Sequence, residues 1–536
     1  MLGRLPDAAR FDPLRFASGG AWHPLAAAFR AVVAHPAAAG WALVDRVAGR
    51  RVRARQALLA LGGAGHRLRW TGNAPCEAIT LPVGMALHGT PEAARADLVV
   101  LTAPGHALAA GGAEALAGAF ADPAVLAAYG DALVLDGAGR PALPLLRPAF
   151  DRDFLMETGY AGPVVAVRRE ALAARGGLAA DLPGAEAADL LLRLSERGGG
   201  VRHVPALVAL WRPFEPIPDD PPDAALRGAR VEAARRALAR AGETASADWQ
   251  DGIVAIRRAL PAPRPRVSVI VPTRDRVELL RTCVESLART DWPDLELIVC
   301  DNGSADPAAL AYLRQLEASG RARVLPCPGP FDFATMNNRA AALATGRLLA
   351  FLNNDVEVEA ADWLALMAAE ALRPEVGAVG ARLIDADGRV QHGGVVLGPG
   401  GLVAHAHRFF SGEARGYLDR LRATHVVAAV TAACLVVERQ KFLAVDGFDA
   451  EHFAVDFNDV DLCLRLEAAG HRTMMVPRAR LLHREAASRR WHPAARARHE
   501  AEVARLRAHW GDRLGSDPHY HPDFDPNLGT YVATRA

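Results

Sequence analysis

Cysteine is scarce in this chain and unpatterned: six residues in 536, none in a C-x-x-C pair. Neither a zinc ribbon nor a disulfide framework can be built on that spacing. An excess of one charge is also missing. The 62 basic and 61 acidic residues leave a formal net charge of +1, so nothing suggests a nucleic-acid partner. No apolar run is long enough for a bilayer; stretches such as Val426–Val437 fall well short of the roughly 20 residues required. The N-terminus lacks the basic–apolar–small pattern of a secretory leader. Glycine is plentiful but forms no phosphate loop. There is no G-x-G-x-x-G and no G-x-x-x-x-G-K-[ST], and Gly62–Gly65 has the wrong spacing. These absences predict a soluble, cytoplasmic protein of a reducing compartment, without a transmembrane segment.

What is present is size, apolar content and an internal repeat. Hydrophobic residues make up 51% and charged ones 23%, enough for two or three packed domains. Residues 458–484 repeat residues 186–212 at a shift of 272 positions. Asp461, Leu462, Leu464, Arg465, Leu466, Gly470, Val476, Pro477, Leu482 and Arg484 meet identical residues, among them Asp189, Arg193 and Pro205. Asp459, however, meets Ala187, and His483 meets Trp211. The framework is retained in both segments and the reactive groups in one. This predicts a duplicated domain with a single live copy, and Asp461 and Arg465 as structural residues.

Residues 1–212 are expected to form the first domain. Residues 213–265 follow as a proline-rich linker, opened by Pro213–Pro222, with a bridging helix over Ala224–Ala241. From Val267 short apolar strands alternate with helices. Strands are predicted at Val267–Val271, Leu295–Cys300, Arg323–Leu325 and Leu348–Leu352. Helices are predicted at Val277–Ala288, Pro307–Ala318, Ala334–Ala344 and Trp363–Leu372. That alternation predicts an α/β domain with a mostly parallel sheet over residues 266–512, then a tail, 513–536. Ligands of such sheets lie beyond the carboxyl ends of the strands. Three polar turns stand there: Pro272-Thr273-Arg274-Asp275, Asp301-Asn302-Gly303-Ser304 and Asn353-Asn354-Asp355. Asp and Asn are ordinary turn residues, so one such turn means little; three in succession point to a site. Without a glycine loop, a diphosphate would be neutralised by a divalent cation on a carboxylate such as Asp355.

The segments VSVIVPTRDR, LIVCDNGS, FDFATMNNRAAALATGRLLAFLNNDVEV, ACLVVERQKFLAVDGFD, FNDVDLCLRLEAAGH and LLHREAASR resemble, in order, a family-2 glycosyltransferase of the GT-A fold, of the bacterial surface-polysaccharide type. The likeness runs from about Val267 to Trp510. It implies a fold of Rossmann-like, nucleotide-diphospho-sugar transferase type, present here in two tandem copies. It also implies an inverting hexosyl or deoxyhexosyl transfer from a nucleoside-diphosphate sugar to a glycan or lipid-linked acceptor. On the matching positions, Thr273, Asp275, Asp301, Asn338 and Asn353 would bind the nucleotide sugar. Asp355, the one carboxylate left in the D-x-D position, would hold Mn²⁺ or Mg²⁺ with His483. Asp459 would be the catalytic base. The incomplete D-x-D leaves a second reading, a nucleotide-sugar or glycan-binding scaffold with weak catalysis.

In the first domain, the strand Leu98–Leu101 is followed by Thr102-Ala103-Pro104-Gly105, with no carboxylate. Residues 1–212 are therefore expected to be a degenerate transferase-like domain. His392, His405 and His407, in a glycine-rich stretch, read as a mobile surface loop or an acceptor-side lid. Trp363 reads as core. The basic face of Arg496–Arg507 reads as solvated, or as a peripheral contact with anionic lipid at the inner membrane face.

Overall fold

The computed structural model describes residues 81–211, 224–484 and 493–524, apart from a few single positions within them, and four isolated residues elsewhere. The expectations for residues 1–80 and for the Pro213–Pro222 linker lie outside the described residues.

The C-terminal half is built on a ten-stranded sheet. Its first part is parallel: β12 (Arg323–Pro326), β11 (Leu295–Asp301), β10 (Val267–Thr273) and β13 (Leu348–Leu352) lie side by side in that order. Helices α6 (Val277–Leu287), α7 (Pro307–Ala318) and α8 (Phe333–Leu343) connect them. β10 is buried along its whole length, as a strand covered on both faces should be. Val267, Val269 and Val271 join one core with Trp363, while Ile270 joins the other with Phe351 and Phe442, the two-residue period of a pleated strand. Asp306 caps α7 by accepting the Ala308 N–H at 3.1 Å, with Pro307 in the first turn.

The sheet's second part differs from the predicted mostly parallel arrangement. β20 (Cys434–Glu438) runs antiparallel between β13 and β15 (Val376–Ile384), and β15 pairs in parallel with the long β21 (Arg472–His483). β14 (Val356–Val358) closes the edge antiparallel to β21, while β16 (Val390–His392) and β19 (His425–Val427) pair with β15 and β21. The sheet is therefore mixed. A small hairpin, β17 (Val395–Leu397) with β18 (Val403–His405), stands apart from it. Helices α9 (Trp363–Ala371), α10 (Arg439–Ala444), α11 (Asn458–Ala468) and α12 (Pro493–Leu514) complete this half. Trp363 is fully buried, as expected.

The N-terminal half carries a seven-stranded sheet: β1 (Met85–Leu87), β2 (Leu98–Thr102), β3 (His106–Leu108), β4 (Ala127–Leu135), β5 (Pro141–Leu145), β6 (Val164–Arg168) and β7 (Val201–Trp211). Helices α1 (Gly112–Gly118), α2 (Arg152–Thr158), α3 (Arg169–Ala174) and α4 (Glu186–Leu194) pack on it. Its pairings repeat those of the second half. β2–β6 and β6–β4 are antiparallel like β13–β20 and β20–β15. β4–β7 is parallel like β15–β21, and β3–β7 is antiparallel like β14–β21.

The helix expected to bridge the halves, α5 (Ala224–Arg240), packs its Ala234, Ala237 and Leu238 against Leu190 and Leu194 of α4. It belongs structurally with the first sheet. The rest of the expected linker contains a hairpin, β8 (Ala245–Gln250) with β9 (Ile253–Arg258). The hairpin fastens the halves together. Arg258 of β9 meets Asp153 at 2.6 Å and Glu370 at 2.7 Å, and Arg373 reaches Asp153 at 3.1 Å. Burial alone would push the Asp153 carboxyl up; Arg373, Arg258 and Arg472 outweigh it and hold it far below the usual range. No helix among the described residues is long and apolar enough to cross a membrane. Of the α12 arginines, Arg505 and Arg507 donate to backbone carbonyls at His452, Gly400 and Gly401.

Candidate active site

The polar turns lie at the carboxyl edge of the parallel strands and touch one another. Thr273, buried at the end of β10, accepts the Asn354 side-chain N–H at 3.0 Å, and its carbonyl accepts the Asn302 N–H at 2.9 Å. Asp301 folds its Oδ1 over Ser304, accepting the backbone N–H at 3.0 Å and the hydroxyl at 2.5 Å. Asp275 has a left-handed φ of 51°. Its Oδ1 accepts the N–H groups of Ala305 (2.7 Å) and Asp306 (2.8 Å). The Asp306 and Ala305 amides hold this carboxyl below its ordinary range. Asp275 thus ties the first turn to the second. Asn338 is spent differently. Its amide donates to the Phe448 carbonyl at 2.7 Å and accepts the Phe448 N–H at 2.9 Å, so both of its polar ends serve the fold rather than facing the strand-end turns.

Two other candidates, Asp459 and Asn353, meet on the short loop Thr431-Ala432-Ala433. Asp459, in the first turn of α11, accepts the Ala432 N–H on Oδ2 at 3.0 Å. The Ala433 carbonyl accepts the Asn353 N–H at 3.1 Å. Asp355 follows Asn353 by two residues, and its Oδ1 lies 3.1 Å from His483 Nε2. That contact is a consequence of register, because His483 ends β21 opposite Val356 at the start of β14. A cation with bonds near 2.1 Å would hold neighbouring ligand atoms about 3.0 Å apart, so this spacing fits a shared divalent ion. His483 Nδ1 is buried without a hydrogen-bond partner. A carboxylate with one imidazole suits Mg²⁺ or Mn²⁺, the imidazole favouring Mn²⁺.

Of the histidines read as a mobile surface loop or an acceptor-side lid, His392 also reaches this loop. His392 is fully buried and accepts the Thr431 N–H on Nε2 at 3.4 Å; its Nδ1 lies 2.7 Å from Nδ1 of His405. His407, also fully buried, accepts the Tyr417 N–H on Nε2 at 3.1 Å. The expected mobile surface loop is therefore a packed element of the site. Its sequence signal was the Gly393-Gly394 pair after His392. Gly394 has φ +100°, and a Cβ there would lie 2.8 Å from Val427 Cγ1, so only glycine allows the reversal.

The framework pair of the repeat has the same bonding in both halves. Arg465 donates to Asp461 Oδ2 at 2.7 Å and to the carbonyls of Val445 and Gly447. Arg193 donates to Asp189 Oδ2 at 2.8 Å and to the carbonyls of Arg175 and Gly177. Each arginine thus pins its helix to the turn that follows the preceding short helix. At the reactive positions the halves part. Ala103 and Gly105 follow β2 where Asn353 and Asp355 follow β13. Trp211 ends β7 stacked on His106, with ring centroids 5.3 Å apart, where His483 meets Asp355.

Among the described residues, one further His/Asp trio has ligand atoms close enough to share an ion: Asp131, His203 and His521. It lies on the first sheet and the C-terminal tail. His521 Nδ1 accepts the Asp523 N–H at 3.1 Å, which places the ring proton on Nε2, 2.8 Å from Asp131 Oδ2. That nitrogen donates to the carboxylate and turns no lone pair toward an ion. The trio is a hydrogen-bonded clasp for the tail.

A mixed α/β sheet with polar turns at its strand ends, an Asp–His pair and a helix-borne carboxylate is the arrangement expected of a GT-A type sugar-transferase domain. Residues 268–412 match the model of glycosyl transferase family 2, so the C-terminal half carries a domain of that family. It is 38% identical to the uncharacterized protein y4gI of Sinorhizobium fredii over 410 residues, 72% of this chain and 44% of that one. It is 37% identical to the O-antigen biosynthesis protein RfbC of Myxococcus xanthus over 427 residues, 78% of this chain and 32% of that one. The chain thus spans less than half the length of either. Both alignments are longer than the stretch from residue 266 to the C-terminus, so the likeness reaches into the first sheet. The N-acetylglucosaminyl-diphospho-decaprenol L-rhamnosyltransferase of Mycobacterium tuberculosis is 28% identical over 235 residues, 40% of this chain and 75% of that one.

Proposed function

We propose that this chain is an inverting, metal-dependent glycosyltransferase that moves a sugar from a nucleoside diphosphate to a hydroxyl of a surface glycan or lipid-linked acceptor, on the cytoplasmic side of the membrane. The observation that carries the reading is that Asp459 and Asn353 bond to one loop, with the Asp355–His483 pair two residues beyond Asn353, at the sheet whose strands end in the paired Thr273 and Asp301. Asp459 is the general base: it takes the acceptor hydroxyl proton as that oxygen attacks the anomeric carbon and the bond to the diphosphate breaks. Asp459 lies in the first turn of a helix, where the backbone dipole favours its anion. Thr273, Asp301 and Asn353 line the nucleotide side; Asp275 acts by fixing the loop that carries them. Asp355 and His483 would hold the cation, which when bound supplies charge neutralisation for the departing diphosphate. The polysaccharide setting draws support from the O-antigen name of the Myxococcus relative, and the lipid-linked acceptor from the name of the mycobacterial enzyme.

A screen of UDP-, dTDP- and GDP-sugars by thermal shift, with and without Mn²⁺, should find a donor whose stabilisation needs the metal. With that donor, Asp459→Asn should abolish turnover while the shift persists; full turnover in the variant would sink the reading. The scaffold alternative rests on Asn353 in the D-x-D position. It predicts binding without donor hydrolysis in the wild type, with or without chelator. We also infer that the first sheet and α5 form a degenerate copy of the transferase domain. This is supported by the repeated strand pairings and by the two Asp–Arg clamps.

A further inference from the structure

α12 is rich in exposed arginines, yet its Glu502 is only 1% exposed. Burial is the largest influence on this carboxyl and pushes it up, and the neighbouring Asp456 carboxylate adds to the push. A carboxyl so enclosed is costly unless its oxygens are bonded. Glu502 Oε2 accepts the Asp456 N–H at 2.5 Å, and the Val455 N–H bonds to the same carboxyl. His499, three residues earlier on α12, places Nδ1 3.2 Å from Asp456 Oδ2 and stacks its ring on Phe457, with centroids 5.6 Å apart. Val455, Asp456 and Phe457 form the turn that enters α11, and Phe457 lies two residues ahead of Asp459. Phe457 is the N-cap of that helix at φ 62° and ψ 5°, with no side-chain cap hydrogen bond. A left-handed φ is unfavourable for a bulky aromatic residue and persists only where the surroundings enforce it.

The internal repeat separates this clamp from the framework. At the shift of 272 positions Phe457 meets Ala185, Asp459 meets Ala187 and Glu502 meets Arg230 of α5. Ala185 is the N-cap of α4 at an ordinary φ of −114°, and a guanidinium cannot accept a backbone N–H. Both helices do hold the framework aspartate. Trp510 of α12 donates to Asp461 at 3.0 Å, and Arg240 of α5 lies 3.6 Å from Asp189. The carboxylate that grips the turn, the left-handed N-cap and the candidate base therefore occur together in one half, and all three are missing from the other.

We propose that Glu502 is a positioning residue for the transfer: with His499 it enforces the left-handed turn at Phe457 and so sets where α11 presents the Asp459 carboxylate. The inference rests on the transferase reading above and deepens it. Glu502 acts only through the turn, and Asp459 remains the base.

The test uses the full-length chain with Mn²⁺ and the donor found in the thermal-shift screen, below the melting temperature of every variant. Glu502→Ala should lower the kcat of donor hydrolysis by about tenfold or more, the scale expected when a catalytic group is slightly misplaced. The donor concentration that half-saturates the thermal shift should stay within about twofold, since a positioning effect on the base falls on kcat and not on donor binding. Glu502→Gln keeps an acceptor oxygen and should recover most of the loss. Phe457→Asn in the Glu502→Ala background should recover part of it, because asparagine accepts a left-handed φ without a clamp. A clamp of purely structural use would lower the melting temperature and leave kcat alone. Should Glu502→Ala fail to fold, His499→Ala, at a partly exposed site, carries the same comparison with a kcat loss of about threefold or more. A smaller loss in whichever of the two variants folds would overturn the inference alone. So would a half-saturating concentration that rises in step with the lost rate, or a double variant no faster than Glu502→Ala. Absence of both hydrolysis and transfer in the wild type would instead remove the transferase reading, and this inference with it.

Discussion

Glu157 is the group through which the first domain's hold on the second can be measured. It lies in α2, is only 1% exposed, accepts the Thr424 N–H at 2.8 Å and meets Arg478 at 3.2 Å. Burial is the largest influence on it, and pushes its carboxyl from 4.5 up to about 7, although Arg478 and the Thr424 amide pull the other way. Between those values the folded protein holds a proton that the unfolded chain has released. Stability therefore falls as pH rises from about 4.5 through 7, because ionisation must be driven in a buried site. At roughly 1.4 kcal/mol for each pH unit of difference, the whole interval amounts to at most about 3.5 kcal/mol, the pull of Arg478 already included. Glu157→Gln keeps an oxygen for the Thr424 amide and cannot ionise. The assay is urea unfolding of both proteins from pH 4.5 to 8.5, following the midpoint difference between them. The difference should move in the variant's favour by about 1–3 kcal/mol across the interval, with protection of the Thr424 amide from hydrogen exchange retained. A difference that stays flat with pH would refute the reasoning.

Arg465→Ala and Arg193→Ala form a matched pair. Each removes the partner of a buried carboxylate and of two carbonyls, and each should lower stability by about 1–3 kcal/mol, below the range for fully buried pairs because the guanidinium groups are partly exposed. Circular dichroism melts check this, and a near-neutral result in both would remove the structural role assigned to the clamp. Trp363→Ala empties a fully buried site and deletes a 3.0 Å bond to Thr290; a loss of about 3–5 kcal/mol is expected from denaturant titration. Ending the chain at Gly515 removes His521, Tyr520, Phe524 and Tyr531, which are buried against the first sheet and the 406–417 segment. A loss on the order of 3 kcal/mol should follow, with faster hydrogen exchange in both regions.

Much of the C-terminal half was legible because its signals are local. Pro307–Ala318 and Leu348–Leu352 occupy the predicted positions, the first marked by a capping Asp and Pro, the second by an unbroken apolar run. The antiparallel half of the sheet was not legible, because β20 inserts between β13 and β15 from more than 50 residues away in sequence, and strand pairing at that range leaves no local trace. The β8–β9 hairpin was hidden by its proline-rich surroundings. Among the site residues, Asp355 and His483 could be placed by motif, and register brought them together. Asn338 had the right motif position but is occupied by Phe448, which no spacing could reveal. Of the two readings of the histidine stretch, the mobile surface loop fails, because Gly394 is there for a positive φ in a packed turn; nothing local in a glycine-rich sequence separates the two.

The first domain's retained parts explain what a copy without reactive groups can still contribute. The segment from Arg415 to Val427 crosses the junction, and its polar groups need partners where water is excluded. They find them in the first half and its appended hairpin. Leu146 and Tyr417 exchange two bonds of 2.8 and 2.9 Å. Asp151 accepts the Val426 N–H at 2.7 Å, and Glu157 accepts that of Thr424. Arg415 and Arg422 donate to the Gly252 and Asp251 carbonyls of the hairpin turn. This segment leads directly into Thr431–Ala433, the loop on which Asp459, Asn353 and His392 converge. A domain that supplies these partners fixes the loop without touching a substrate. Its own counterpart positions are then free to become Ala187, Gly105 and a Trp211 stacked on His106. On this reading the Asp151 and Glu157 carboxylates bear on acceptor geometry at a distance. Glu157→Ala should accordingly raise the KM for a p-nitrophenyl glycoside acceptor, assayed with the donor from the thermal-shift screen, more than it changes donor hydrolysis by water. Equal effects on the two rates would reduce the first domain to a contributor of stability alone.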